Sequence, residues 1–183
     1  MDIIRAAGLV ETPWLNGAGR KADIAAGSGW LVGLAWLETD ASFSDYSGHD
    51  RTITLLEGGG FSLALPEGSL LTVERPGEPA AFDGKGPIAC HLKAGPCTVL
   101  NVISAYPRYA HTVQVVGPGE LDAIEPGPLV FLFVMRGRLR AGATEAGPRD
   151  TLQFDGPADL SVAPETRILA IRIDEPAEEE DDA

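Results

Sequence analysis

The stretch Arg51-Thr-Ile-Thr-Leu-Leu-Glu-Gly-Gly-Gly-Phe-Ser-Leu-Ala-Leu65 decides the fold class. It reads as strand, glycine corner, strand. Phe61, Leu63 and Leu65 fall on one face of the second strand while Ser62 and Ala64 take the other, the period of two that a half-buried strand requires. Leu129-Val-Phe-Leu-Phe-Val-Met-Arg-Gly-Arg-Leu-Arg-Ala141 repeats the design. Each copy is followed by a run ending in phenylalanine, at Phe82 and Phe154, and then by an apolar closing strand, Cys97–Ser104 and Arg167–Ile173. An internal echo of this kind points to a duplicated unit.

Working outward, short apolar or alternating runs recur with Gly, Pro or Asp between them. Further strands are expected at Trp30–Leu37, Leu70–Glu74, Ile88–Leu92, His111–Val116, Thr151–Phe154 and Leu160–Ala163. The 22 glycines and 14 prolines are about a fifth of the 183 residues, against a typical ~12%, so turns are many and long helices few. Only Gly19–Ala26 carries a possible short helical turn. The expected fold is all-β, two fused double-sheet jelly rolls at 1–105 and 106–173, followed by an acidic tail at 174–183.

Charge and targeting exclude several classes. The net charge is −13, but seven acidic residues lie between Asp174 and Asp182 and the rest carries only −6. Such a tail repels itself and is expected to be disordered, a solubilising end or a docking arm for a basic partner. Fourteen dispersed Lys and Arg do not supply the clustered cations that nucleic-acid binding needs. The longest apolar run, Leu129–Met135, is too short for a membrane span, and the N-terminus lacks the order of a signal peptide. A cytoplasmic protein with no membrane association is expected. Cys90 and Cys97 read as small core residues.

No metal or other cofactor is expected. The three histidines, His49, His91 and His111, lie in separate elements, so the His-x-His ligand pair of a metal-bearing barrel is absent. No nucleophile elbow or Cys–His neighbourhood occurs. The informative residues are polar ones on apolar faces. Asn101 shares a face with Cys97, Val99 and Ile103, so its carboxamide either braces a loop or meets a ligand. Arg51 shares a face with Ile53 and Leu55, and either clamps a carboxylate or braces a turn with Asp50. In Thr12-Pro-Trp-Leu-Asn-Gly17, Trp14, Asn16 and Gly17 combine an aromatic wall, a two-way hydrogen bonder and a permissive backbone.

Three blocks then resemble the HutD/Ves family: Ile4 through Gly19; Phe43-Ser44 with Gly48 through Phe61; and Phe82 with Cys90-His-Leu and Gly95 through Asn101. Thr12, Trp14, Asn16, Gly17, Asp50, Arg51 and Asn101 match the family pattern. Two basic positions do not, because Leu15 stands where the family has Lys, and Lys21-Ala22-Asp23-Ile24 where it has Thr-Arg-Glu-Ile. The resemblance implies a bicupin fold and a non-catalytic protein that binds a small carboxylate such as N-formylglutamate and modulates histidine utilisation or a stress response. In that reading Arg51 pairs with the carboxylate, Asn16 and Asn101 bond amide or carbonyl groups, Trp14 walls the pocket and Asp50 orients Arg51. A cupin-type isomerase or dioxygenase and a ligand-free interaction protein are the alternatives. A homodimer through strand edges is a further expectation.

Overall fold

The structure is a computed structural model that describes residues 1–125, 127–154 and 159–175; the expectation for the acidic tail lies, from residue 176 on, outside them. These residues form eighteen strands and two single 3-10 turns, with no α-helix. In chain order the strands are β1 (Asp2–Ile4), β2 (Thr12–Pro13), β3 (Gly19–Gly27), β4 (Trp30–Leu37), β5 (Ala41–Phe43), β6 (His49–Glu57), β7 (Phe61–Ala64), β8 (Leu70–Val73) and β9 (Pro79–Asp83). They continue as β10 (Ile88–Leu92), β11 (Cys97–Ala105), β12 (Ala110–Val116), β13 (Leu129–Arg136), β14 (Leu139–Ala141), β15 (Thr144–Ala146), β16 (Thr151–Phe154), β17 (Leu160–Val162) and β18 (Arg167–Asp174).

Four sheets stack as layers. The four-stranded sheet (β5-β10-β7-β8) faces the six-stranded one (β2-β3-β4-β11-β6-β9), across a core that includes Leu37, Ile53, Leu55, Phe61, Leu63 and Val99. The other face of the six-stranded sheet meets the five-stranded sheet (β1-β16-β13-β18-β12) through Val32, Leu34, Leu100, Phe131, Phe133 and Leu169. The five-stranded sheet covers the three-stranded one (β15-β14-β17) through Val130, Leu132, Leu139 and Leu152. Both middle sheets are therefore buried on two sides. That is why β4, β11 and β13 read as nearly continuous apolar runs rather than clean alternations.

The two glycine corners share a backbone feature. Neither corner makes a hairpin, because β6 and β7 belong to different sheets, as do β13 and β14. At Gly60, φ is +86° and a Cβ would lie 2.7 Å from the Val73 carbonyl oxygen; at Gly137, φ is +79° and a Cβ would lie 2.4 Å from Thr166 Oγ1. Both crossings between sheets therefore require glycine. No ladder joins facing sheets among the described residues.

Each of the twelve expected runs falls on a strand. Segment 19–26 does not form the helical turn expected there. It is the body of β3, paired along its length with β4 and interrupted by a bulge between Asp23 and Ala25. Its alanines favour a helix locally, but a long ladder to a buried strand overrides that preference. One strand also crosses the boundary expected at residue 105: β1, at the N-terminus, pairs with β16 in the five-stranded sheet. No helix is long and apolar enough to cross a membrane among the described residues.

Candidate functional site

The inner face of the six-stranded sheet carries a row set by register alone. Asp23 pairs with Gly33, Gly33 with Asn101, and Asn101 with Ile53, so β3, β4, β11 and β6 each contribute one position to one line. Gly33 has no side chain, and the floor of the sheet is open there. The cavity above it measures about 370 Å³ and is walled by Trp14, Phe43 and Ile103, with Lys21, Asp23, Arg51 and Asn101 among its polar lining.

Arg51 is the dominant group. It is 5% exposed and lies one cross-strand pair from Asn101, opposite Ile103. Its Nη2 donates to Asn101 Oδ1 at 3.3 Å. Three rings enclose the guanidinium at 5.1–5.2 Å, those of Phe43, Tyr46 and Phe82. Nε and Nη1 have no hydrogen-bond partner, and no carboxylate forms an ion pair with Arg51 among the described residues. Burial pushes its pKa down to about 10, opposed by Tyr46, so the group stays charged at neutral pH. A buried cation without a counter-ion costs several kcal/mol, which the cation–π contacts with the three rings offset. Chemically, the two open N–H groups of this cation could donate to an anion.

The expected site residues divide. Arg51, Asn101, Trp14 and Asn16 all line the cavity. Trp14 is half-buried and meets Phe43 edge-on at 6.0 Å. Among the described residues only the side-chain oxygen of Asn101 is engaged, by Arg51. Asn16 is committed to the loop: Oδ1 accepts from the Ala18 N–H at 3.1 Å and Nδ2 donates to the Ser42 carbonyl at 3.4 Å. Gly17 closes that loop at φ +68°, its N–H donating to the Trp14 carbonyl. Asp50 does not orient Arg51. Consecutive strand residues point to opposite faces, and Asp50 is exposed on the side where it acts on His111.

Other groups were beyond the sequence reading. The three rings of the cage come from β5, the loop after it and β9, and only the folded chain unites them. Lys21 and Asp23 lie on the cavity side of β3, where Lys21 Nζ donates to Asp23 Oδ1 at 3.2 Å. Ala22, where the family pattern has Arg, is buried and faces away. Lys21 is a cation on the cavity side of β3. Alternation along β3 would have identified it, had the segment been read as a strand.

On the reverse face of the same strands, His111 joins the two central sheets. Its Nε2 lies 2.9 Å from Thr52 Oγ1 and its Nδ1 2.7 Å from Ser104 Oγ. His91 is exposed and bonds Asp40, and Cys90 and Cys97 are buried free thiols. Burial pushes the Cys90 thiol up to about 12. No cluster of three or more His, Cys, Asp or Glu is placed to hold a metal among the described residues.

The comparisons with known proteins follow the same lines. An uncharacterized 21.2 kDa protein in the hutC 3′ region of Pseudomonas putida is 31% identical over 121 residues, 62% of this chain and 63% of that protein's length. The structure of HutD from Pseudomonas fluorescens SBW25, determined in a formate condition, superposes with a TM-score of 0.82 at 26% identity, covering 96% of this chain and 98% of that one. A cupin 2 conserved barrel domain protein from Leptotrichia buccalis shares the fold at a TM-score of 0.55 and 13% identity, over 85% of this chain and 88% of its own. The family model HutD matches residues 6–170, nearly the whole described chain, and this protein belongs to the HutD family.

Proposed function

We propose that the chain is a duplicated cupin-like protein whose N-terminal half binds a small carboxylate at Arg51, N-formylglutamate being the first candidate. It acts as a non-catalytic sensor that modulates histidine utilisation or a stress response. The relative in the hutC 3′ region supports the pathway assignment. The observation that carries the ligand class is the buried guanidinium with two unpartnered nitrogens and no ion pair. A carboxylate at the Asn101 end would accept from both side chains and neutralise the charge.

The C-terminal half supplies the contrast. In the N-terminal half Arg51 on β6 pairs in register with Ile103 on β11; in the C-terminal half Val130 on β13 pairs with Arg172 on β18. A guanidinium thus occupies the same cross-strand pair of each half, from the neighbouring strand. Arg172 is already satisfied, by Asp174 at 2.8 Å and by Glu125. Arg172 has two carboxylate partners, and Arg51 has none among the described residues.

Calorimetric titration with N-formylglutamate tests the reading. Saturable one-to-one binding in the micromolar range, ~8 kcal/mol, is expected. Absence of heat at millimolar ligand would remove this metabolite from the account.

A further inference from the structure

The six-stranded and five-stranded sheets are built alike around one strand but end differently. β11 lies between β6 and β4, and β18 lies between β13 and β12. β12 is thus the counterpart of β4. The outer edge of β4 is paired with β3 along its whole length, from Trp30 to Leu37. Among the described residues no strand takes that place beside β12, which is the edge of its sheet.

That edge is also unguarded. Edge strands are ordinarily kept from pairing with another chain by brevity, by a charge or proline, or by a bulge. Among the described residues the other edge strands have five residues or fewer, and β9, the longest of them, carries Pro79 and Asp83. β12 has seven, Ala110-His-Thr-Val-Gln-Val-Val116, without Asp, Glu, Lys, Arg or Pro. Its register with β18 runs unbroken. Alternate residues of such a strand turn their backbone N–H and C=O groups outward.

We propose that β12 pairs antiparallel with β12 of a second copy, about a two-fold axis at Val113, so that two five-stranded sheets become one. A two-fold contact demands a strand that matches its own reverse, and this one does. Val113 faces Val113, Thr112 faces Gln114 and His111 faces Val115 of the other copy. Polar Thr112 and Gln114 meet on one face. Val113 and Val115 meet their partners on the other, where Val115 is 41% exposed in the single chain. No like charges are opposed. This contact is independent of the Arg51 site.

Sedimentation velocity of the full chain at pH 7 tests it, with two double variants at exposed positions of the strand. Thr112→Lys with Gln114→Lys sets lysine against lysine at two places across the axis. Thr112→Glu with Gln114→Lys sets opposite charges at the same two places. The unmodified protein is expected to dimerise in the micromolar range, as befits a small interface. The double-lysine variant should dimerise about tenfold more weakly, and the Glu/Lys variant at least as tightly as the unmodified protein, with unchanged circular dichroism in both. An unmodified protein that stays monomeric through this range overturns the proposal. So does a dimer that both variants leave intact or weaken equally.

Discussion

Arg51 is where the account can be separated from ordinary structural roles. A buried guanidinium retained for stability would have a carboxylate partner, whereas this one has three rings and a carboxamide. A lone buried charge keeps its desolvation cost with no ion pair to offset it, so an apolar side chain of similar length in its place is neutral or stabilising. Arg51→Met should therefore leave the melting temperature unchanged or raise it, as measured by scanning calorimetry. A fall of 10 °C or more would mean that the guanidinium holds the cavity together. At this scale the sequence was informative for Arg51 and Asn101, because each interrupts an apolar face of a strand. It misled for Asp50, since a chain neighbour in a strand is on the opposite face, and it was silent on Tyr46 and Phe82 as cage members, because that contact joins distant segments.

At the scale of the element, β3 shows how a local pattern is overruled. Its alanines suggested a helical turn, yet pairing with β4 makes it a strand whose alternation sends Lys21 and Asp23 to the cavity and Ala22 and Ile24 to the core. The short strands β1, β2, β5 and β15, two or three residues each, have too little length for any periodicity and were invisible in the sequence for that reason. β12 carries a pH-dependent contact. Burial pushes His111 below the usual imidazole range, with Asp50 opposing, so protonation is favoured in the unfolded chain. The stability this confers is complete above the ordinary value of ~6.5 and declines as pH falls through the window beneath it. The melting temperature should drop between pH 7 and 5, and His111→Gln should make that dependence shallower. An identical slope in the variant would assign the effect to other groups.

For the whole molecule, the middle core layer joins the six-stranded and five-stranded sheets. The sequence echo pointed to a repeated strand–glycine–strand design, but the packing of the six-stranded sheet on the five-stranded one depends on the outward faces of β4, β11, β13 and β18, which a reading by strands alone leaves unassigned. Phe131 is fully buried in that layer. Phe131→Ala should cost ~3–5 kcal/mol and lower the melting temperature by on the order of 10 °C in a single transition. Two separated transitions would show that the halves unfold independently.

The most direct test of the central claim is the affinity of the unmodified protein and of Arg51→Met for one small carboxylate, glutarate, measured by calorimetry under identical conditions. Losing a buried, charge-assisted contact costs ~2–5 kcal/mol, so the account predicts a loss of about thirtyfold or more in the variant, with the fold intact by circular dichroism. Equal affinities in the two proteins would contradict it, because the carboxylate would then bind without the cation that the structure leaves unpaired.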